Sequence, residues 1–297
     1  MSEVSLISKV ITEKVTTKIG EKKEEKKVTP SSPLGIFDSG VGGLTVLSEI
    51  MKQLPNEDVV YLADTARVPY GSRPPQEIIK INEEIIPFLI ENWGVKLIIM
   101  ACGTSSSIAY PVLKDKYKVH IIGLIEPGAR AAVAATRFGT IGVMATVGTI
   151  NSHSFPNAIT SLKKDAKVVE QACPLLVPLI EGGFLETDEA KKVVKEYLRP
   201  LLKEKIDTII LGCTHYPHLI KILREKTGPE VTFIDPAEEA VKEAKELLKK
   251  AGTLKGKTHI PKYEFLVTGS VSQFQELGTR LLGKPITQVK LVNLSAK

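Results

Sequence analysis

From about Leu34 onward the chain alternates between short unbroken apolar runs and longer stretches whose apolar positions recur every three or four residues. A run of four to six residues that is apolar on both faces suits a strand buried in a parallel sheet. Seven runs predict such strands, at residues 34–37, 59–63, 95–100, 119–123, 140–144, 206–211 and 231–235. Between them, helical spacing is clearest at residues 44–54, 190–202 and 237–250. Strands alternating with amphipathic helices predict an α/β fold with mainly parallel sheets. In such folds ligands collect beyond the carboxyl ends of the strands. Before Pro33 the pattern changes. Residues 1–32 hold seven Lys and five Glu and few large apolar side chains. They read as a flexible charged tail, with a short surface helix near residues 4–15 as the alternative.

Composition narrows the function classes. The chain has 297 residues, enough for two domains, with 43% hydrophobic and 25% charged residues. The net charge is +6, of which the tail contributes +2. So small an excess, with acidic residues interleaved, argues against nucleic acid as a partner. No apolar run approaches a membrane span, and the N-terminus lacks the apolar core of a signal peptide. The three cysteines, Cys102, Cys173 and Cys213, show no disulfide-framework spacing. They suit a reducing cytoplasm.

Two of those cysteines sit in matching contexts. The run Leu97-Ile98-Ile99-Met100-Ala101-Cys102-Gly103-Thr104 parallels Thr208-Ile209-Ile210-Leu211-Gly212-Cys213-Thr214. Each places a Cys after a small residue, where a strand ends and a helix is expected to begin. Oriented N–H groups there favour a thiolate. Cys173 lacks that setting in the predicted strands and receives no role. Asp38 and Ser39 follow the first strand and open a Gly-rich turn. That turn is neither a dinucleotide fingerprint, since Thr45 replaces the third glycine, nor a phosphate-binding loop with its Lys. The segment from Leu62 to Arg73 carries turn residues and polar groups able to line a site. Cys213 and His215 stand two apart. No CxxC or HxxxH spacing supplies the further ligands that a metal needs. A Cys–His hydrolytic pair remains open at this level, as does a purely structural His.

Together, these motifs resemble those of glutamate racemases. The matching segments are Phe37 to Gly43, Asp64 to Gly71, Ala101-Cys102, Glu126 to Ala129 and Gly212-Cys213-Thr214-His215-Tyr216-Pro217. Their order also fits, and the resemblance runs from about Leu34 to Gly283. It implies interconversion of L- and D-glutamate without pyridoxal phosphate, metal or other cofactor. It also implies two α/β domains facing each other across a cleft, and commonly a homodimer. The product would be D-glutamate for peptidoglycan.

By the same resemblance Cys102 and Cys213 are the proton donor and acceptor on opposite faces of the α-carbon. Asp38, Glu181 and His215 support them. Ser39, Tyr70, Gly71, Gly103, Thr104, Thr149 and Thr214, with Asp38 and His215, contact or surround the substrate. The expected division is residues 33–129 with 242–297 in one domain and 130–241 in the other. Two-sided acid–base chemistry is the minimum that inversion at carbon requires.

The sequence departs from the family at Gly103, where an Asn usually binds the substrate carboxylate. Losing one hydrogen bond to a charged group costs about 1.5–3 kcal/mol, roughly tenfold to a hundredfold in affinity. Racemisation of another acidic amino acid such as aspartate, or a catalytically weak binding or regulatory role, is the corresponding alternative. Gly182-Gly183 is a second departure, where the family often has another acidic residue.

Overall fold

The computed structural model describes residues 28–294. The suggested helix near residues 4–15 lies outside them. The end of the charged lead-in differs from expectation. Ser32 N–H donates to Thr29 O at 3.0 Å, closing a turn, and the Lys96 ammonium donates to Pro30 O at 3.2 Å. Residues 29–32 are thus tied to the body rather than part of a free tail.

Among the described residues, ten strands form two parallel sheets: β1 (Leu34–Asp38), β2 (Val59–Ala63), β3 (Leu97–Met100), β4 (His120–Ile122), β5 (Thr140–Ala145), β6 (Lys167–Ala172), β7 (Thr208–Leu211), β8 (Thr232–Ile234), β9 (Tyr263–Val267) and β10 (Val289–Leu291). The first sheet has the order β10-β9-β2-β1-β3-β4 and the second β6-β5-β7-β8. Helices cover both sheets, giving two α/β lobes. All seven predicted strands are present, with ends shifted by up to two residues. Three further strands, β6, β9 and β10, carry less continuous apolar sequence.

Burial explains the strongest patterns. Every residue of β1, β2, β3 and β7 is buried, because helices lie on both faces. The helix Leu44–Gln53 buries Leu44, Val46, Leu47 and Ile50 against one face of the first sheet. On the second lobe, Asp188–Lys203 is capped by the Thr187 hydroxyl, which accepts from Ala190 N–H, and buries Ala190, Val194, Leu198 and Leu201. No helix among the described residues is long and apolar enough to cross a membrane.

The chain crosses between the lobes twice, after β4 and after β8. The helices Ile125–Ala135 and Pro236–Lys250 carry these two passages. They pack together, and Arg130 pairs with Glu243 between them. The carboxyl ends of β1, β3, β5, β6 and β7 converge on one cavity.

Candidate active site

The cavity has a volume of about 460 Å³ and is bordered by both lobes. Cys102 enters from the first. It follows β3 and its extended backbone (φ −73°, ψ 121°) opens the helix Gly103–Ile108. Cys213 enters from the second, two residues beyond β7. There the expected helix is a turn leading into the 3₁₀ segment Tyr216–Leu219. Both thiols are buried yet line the cavity.

Their surroundings differ. Cys102 Sγ lies 3.9 Å from Ser39 Oγ. Burial, reinforced by the nearby Asp38 charge, pushes the Cys102 thiol up to about 12, against the opposing pull of Ser105 N–H and Ser39. Helix-terminal amides therefore do not win at this sulfur, contrary to the thiolate-favouring expectation, because desolvation is larger. Asp38 follows from β1 itself. Its Oδ2 accepts from Gly40 and Gly43 N–H, each at 3.1 Å. Its Oδ1 is buried with no hydrogen-bond partner among the described residues. A buried acceptor without a donor is costly, and here it borders a cavity.

On the other side, His215 Nδ1 lies 3.8 Å from Cys213 Sγ and Nε2 lies 3.0 Å from Glu181 Oε1. Burial alone would lower the imidazole. The hydrogen bonds to Cys213 and Glu181 override it and raise it to about 10. His215 is therefore an imidazolium at neutral pH, held between a carboxylate and a sulfur. His218, one turn on, is pushed down to about 4 by burial and by the His215 charge.

Every other sequence-predicted site residue lies here, with one set back from the cavity. Ser39, Tyr70, Gly71, Gly103, Thr104 and Thr214 line it. Tyr70 is buried, and its hydroxyl is committed to Asp64. Thr149 does not line the cavity; it stands behind Thr146, with the two hydroxyl oxygens 3.1 Å apart. Thr146 also meets Thr104 at 3.0 Å, so a chain of three hydroxyls bridges the lobes. Two further bonds join the rims: Gly148 N–H donates to Gly71 O at 2.8 Å, and the Thr45 hydroxyl to Thr214 O at 3.2 Å.

Gly103 faces the other lobe at close quarters. A Cβ there would lie 2.3 Å from the Gly212 carbonyl oxygen, across the cleft. The position has no space for a side chain in this arrangement, so the missing Asn is replaced by direct contact between two backbones. At Gly42 a Cβ would come within 2.5 Å of the His215 ring.

Thr146 and Cys173 are among the lining residues that escaped the sequence reading. Thr146 is an ordinary Thr after a strand, with no motif to mark it. Cys173 corrects an expectation: β6 ends at Ala172, so this third thiol does stand at a strand's carboxyl end. Its N–H donates to Ala145 O at 2.8 Å, and it lines the same cavity. It was passed over because β6 itself was not recognised.

Chemically, the site offers the buried thiols of Cys102 and Cys213 on opposite lobes with Cys173 as a third sulfur, an imidazolium held by Glu181 beside Cys213, Asp38 near Cys102, and hydroxyls between them. That set can exchange protons on two sides of a small polar molecule.

The chain and its fold are similar to those of known racemases. Residues 39–244 match the Asp/Glu/Hydantoin racemase family. The chain is 41% identical over 268 residues to a glutamate racemase from Geobacter metallireducens, covering 90% of this chain and 99% of that one. A crystal structure of a glutamate racemase isoform from Bacillus anthracis superposes with a TM-score of 0.86 at 42% identity, covering 90% of this chain and 99% of that chain. The glutamate racemase of Francisella tularensis, solved in complex with D-glutamate, gives 0.84 at 35% identity, with the same coverage of 90% and 99%.

Proposed function

From the premise that this chain belongs to the Asp/Glu/Hydantoin racemase family, we propose that it interconverts L- and D-glutamate by proton transfer between Cys102 and Cys213. The observation that carries this reading is the delivery of one thiol from each lobe to a single cavity. In one direction, the thiolate of one cysteine removes the α-proton as the thiol of the other delivers its proton to the opposite face. One C–H bond breaks, another forms, and the sulfurs exchange protonation states.

The flanking groups serve that exchange. The His215 imidazolium, oriented by Glu181, stabilises negative charge on Cys213 when it has given up its proton. Asp38 offers its free oxygen near Cys102 for the substrate ammonium or a proton in transit. Ser39, Thr104, Thr146 and Thr214 supply hydroxyls for the carboxylates. No cofactor enters this scheme. Gly103 gives no reason to prefer aspartate or a non-catalytic role, because the approach of Gly212 accounts for its missing side chain.

The residue division 33–129 with 242–297 and 130–241 accords with the two sheets and is proposed as the domain boundary. We further assign the activity to the cytoplasm, to a homodimer, and to the supply of D-glutamate for peptidoglycan, as in the family the sequence resembles.

The test is incubation with each enantiomer in deuterated water without added cofactor. Deuterium at the α-carbon and loss of optical rotation are expected from both. Cys102→Ala and Cys213→Ala should each lower racemisation at least a thousandfold while the protein stays folded. Substantial turnover by either variant overturns the two-thiol scheme; no exchange by folded wild type overturns glutamate as substrate.

A further inference from the structure

Glu181, which orients His215, is the last residue of the helix Leu176–Glu181. The turn after it fixes that carboxylate's place. Gly182 N–H donates to Pro178 O, Gly183 N–H to Ile180 O at 3.0 Å, and Phe184 N–H to Leu179 O at 2.9 Å. Gly183 is left-handed at φ +80°. This glycine-terminated turn satisfies three of the helix's last carbonyls from its own chain. The fourth, that of Glu181, is taken from the other lobe: Arg280 Nη2 donates to Glu181 O.

Arg280 belongs to the helix Val271–Leu282, which packs on the first sheet through Phe274, Leu277 and Leu282. The next residue, Leu281, packs against the apolar clusters of both lobes. A Cβ at Gly183 would lie 3.1 Å from Arg280 Nη1 and 3.4 Å from Cζ. The side chain absent at Gly183 is therefore the space the guanidinium uses. A cation at a helix C-terminus is also favoured electrostatically. The groups facing His215 are Cys213, Glu181, Asp38 and His218. Only Glu181 among them is connected to Arg280 by a hydrogen bond that an adjoining backbone provides.

We propose that Arg280 is a positioning residue for the Cys213 half of the reaction: from the first lobe it anchors the backbone of Glu181, and through that carboxylate sets the orientation of His215. The proposal rests on the racemase reading above for its kinetic consequence, but not for its structural one. Closing the lobes seats Arg280 on the turn, so proton transfer at Cys213 is tuned by the same contact that brings the two halves together.

The experiment compares wild type, Arg280→Ala, Arg280→Lys and Glu181→Gln, with the double variant Arg280→Ala/Glu181→Gln. Arg280→Ala should lower kcat roughly tenfold and leave KM within about twofold, because Arg280 lies outside the cavity. Lys should restore most of kcat. In the Glu181→Gln background the Ala substitution should cost nothing further, since the residue acts through that carboxylate. Without substrate, NMR titration of the His215 imidazole should show its midpoint lowered in Arg280→Ala.

An unshifted His215 midpoint, or an undiminished effect of Arg280→Ala in the Glu181→Gln background, overturns the proposal even if the wild type racemises glutamate. A shifted midpoint in a protein whose wild type fails to racemise glutamate upholds the positioning role and overturns the substrate assignment instead.

Discussion

Cys102 and His215 are displaced from their ordinary values for different reasons. Cys102 is governed by desolvation beside an acid, His215 by two partners that outweigh desolvation. The consequence for pH follows from the sign of the His215 shift. Its ordinary value is 6.5 and its folded value is about 10. Stability from its partners is therefore complete below 6.5, declines above that, and is lost as pH rises through 10. Glu181→Gln should lower the melting temperature clearly at pH 6 and hardly at all at pH 10.5. Equal losses at the two pH values would show that Glu181 does not hold a protonated imidazole. At this scale the sequence was most informative about residues with unusual chemistry. Cys102, Cys213, Asp38 and His215 stood out in their motifs, whereas Glu181 was expected only from the family resemblance. Thr146 was not, because a hydroxyl at a strand end carries no pattern until the partner strand is placed beside it.

Among the secondary-structure elements, legibility followed burial. β1, β2, β3 and β7 are covered on both sides and wrote continuous apolar runs. β6 is an edge strand with no fully buried residue, and its Lys, Glu and Gln broke the run. β10 is also an edge strand, of three residues. β9 lies inside the sheet, but Glu264 interrupts its five residues and Pro261 and Lys262 precede it. The helix Pro236–Lys250 offers a test of its own. Asp235 caps it, accepting from Ala237 N–H at 3.0 Å. Burial raises this carboxyl from 3.8 to about 6. A raised carboxyl binds its proton more tightly in the folded chain, so stability falls as pH rises from 3.8 through 6. Asn caps equally well without ionising. Asp235→Asn should therefore melt higher than wild type at pH 8 and alike at pH 3.5, whereas Asp235→Ala should lose about 1 kcal/mol of capping. A lower melting temperature for the Asn variant at pH 8 would show the charge to be useful rather than burdensome.

At the level of the whole molecule, the two lobes meet closely through both backbone and side chains around the cavity. The approach of Gly103 to Gly212, the bond from Gly148 to Gly71, and the hydroxyls of Thr104 and Thr146 leave little slack across the cleft. Gly103→Ala puts a methyl 2.3 Å from a carbonyl oxygen, and the lobes must separate to admit it. We expect that variant to lose at least tenfold in kcat, because displacement by about 1 Å is felt strongly in proton transfer. Its radius of gyration by small-angle X-ray scattering should rise. Wild-type kcat in Gly103→Ala would show that the cleft tolerates a wider setting. None of this was readable in one dimension: Gly103 looked like a lost donor, and only the opposing Gly212 reveals what its bareness accommodates.

The two interlobe passages also constrain how such a wider setting is reached. A panel hung at one point can tilt any way, whereas a door hung at two has a single swing. Here the helices Ile125–Ala135 and Pro236–Lys250 are the paired links, strapped by Arg130 and Glu243. With two such links, we expect any opening of the cleft to be restricted to rotation about a single axis, so that either mirror-image form of the substrate enters and leaves by the same route.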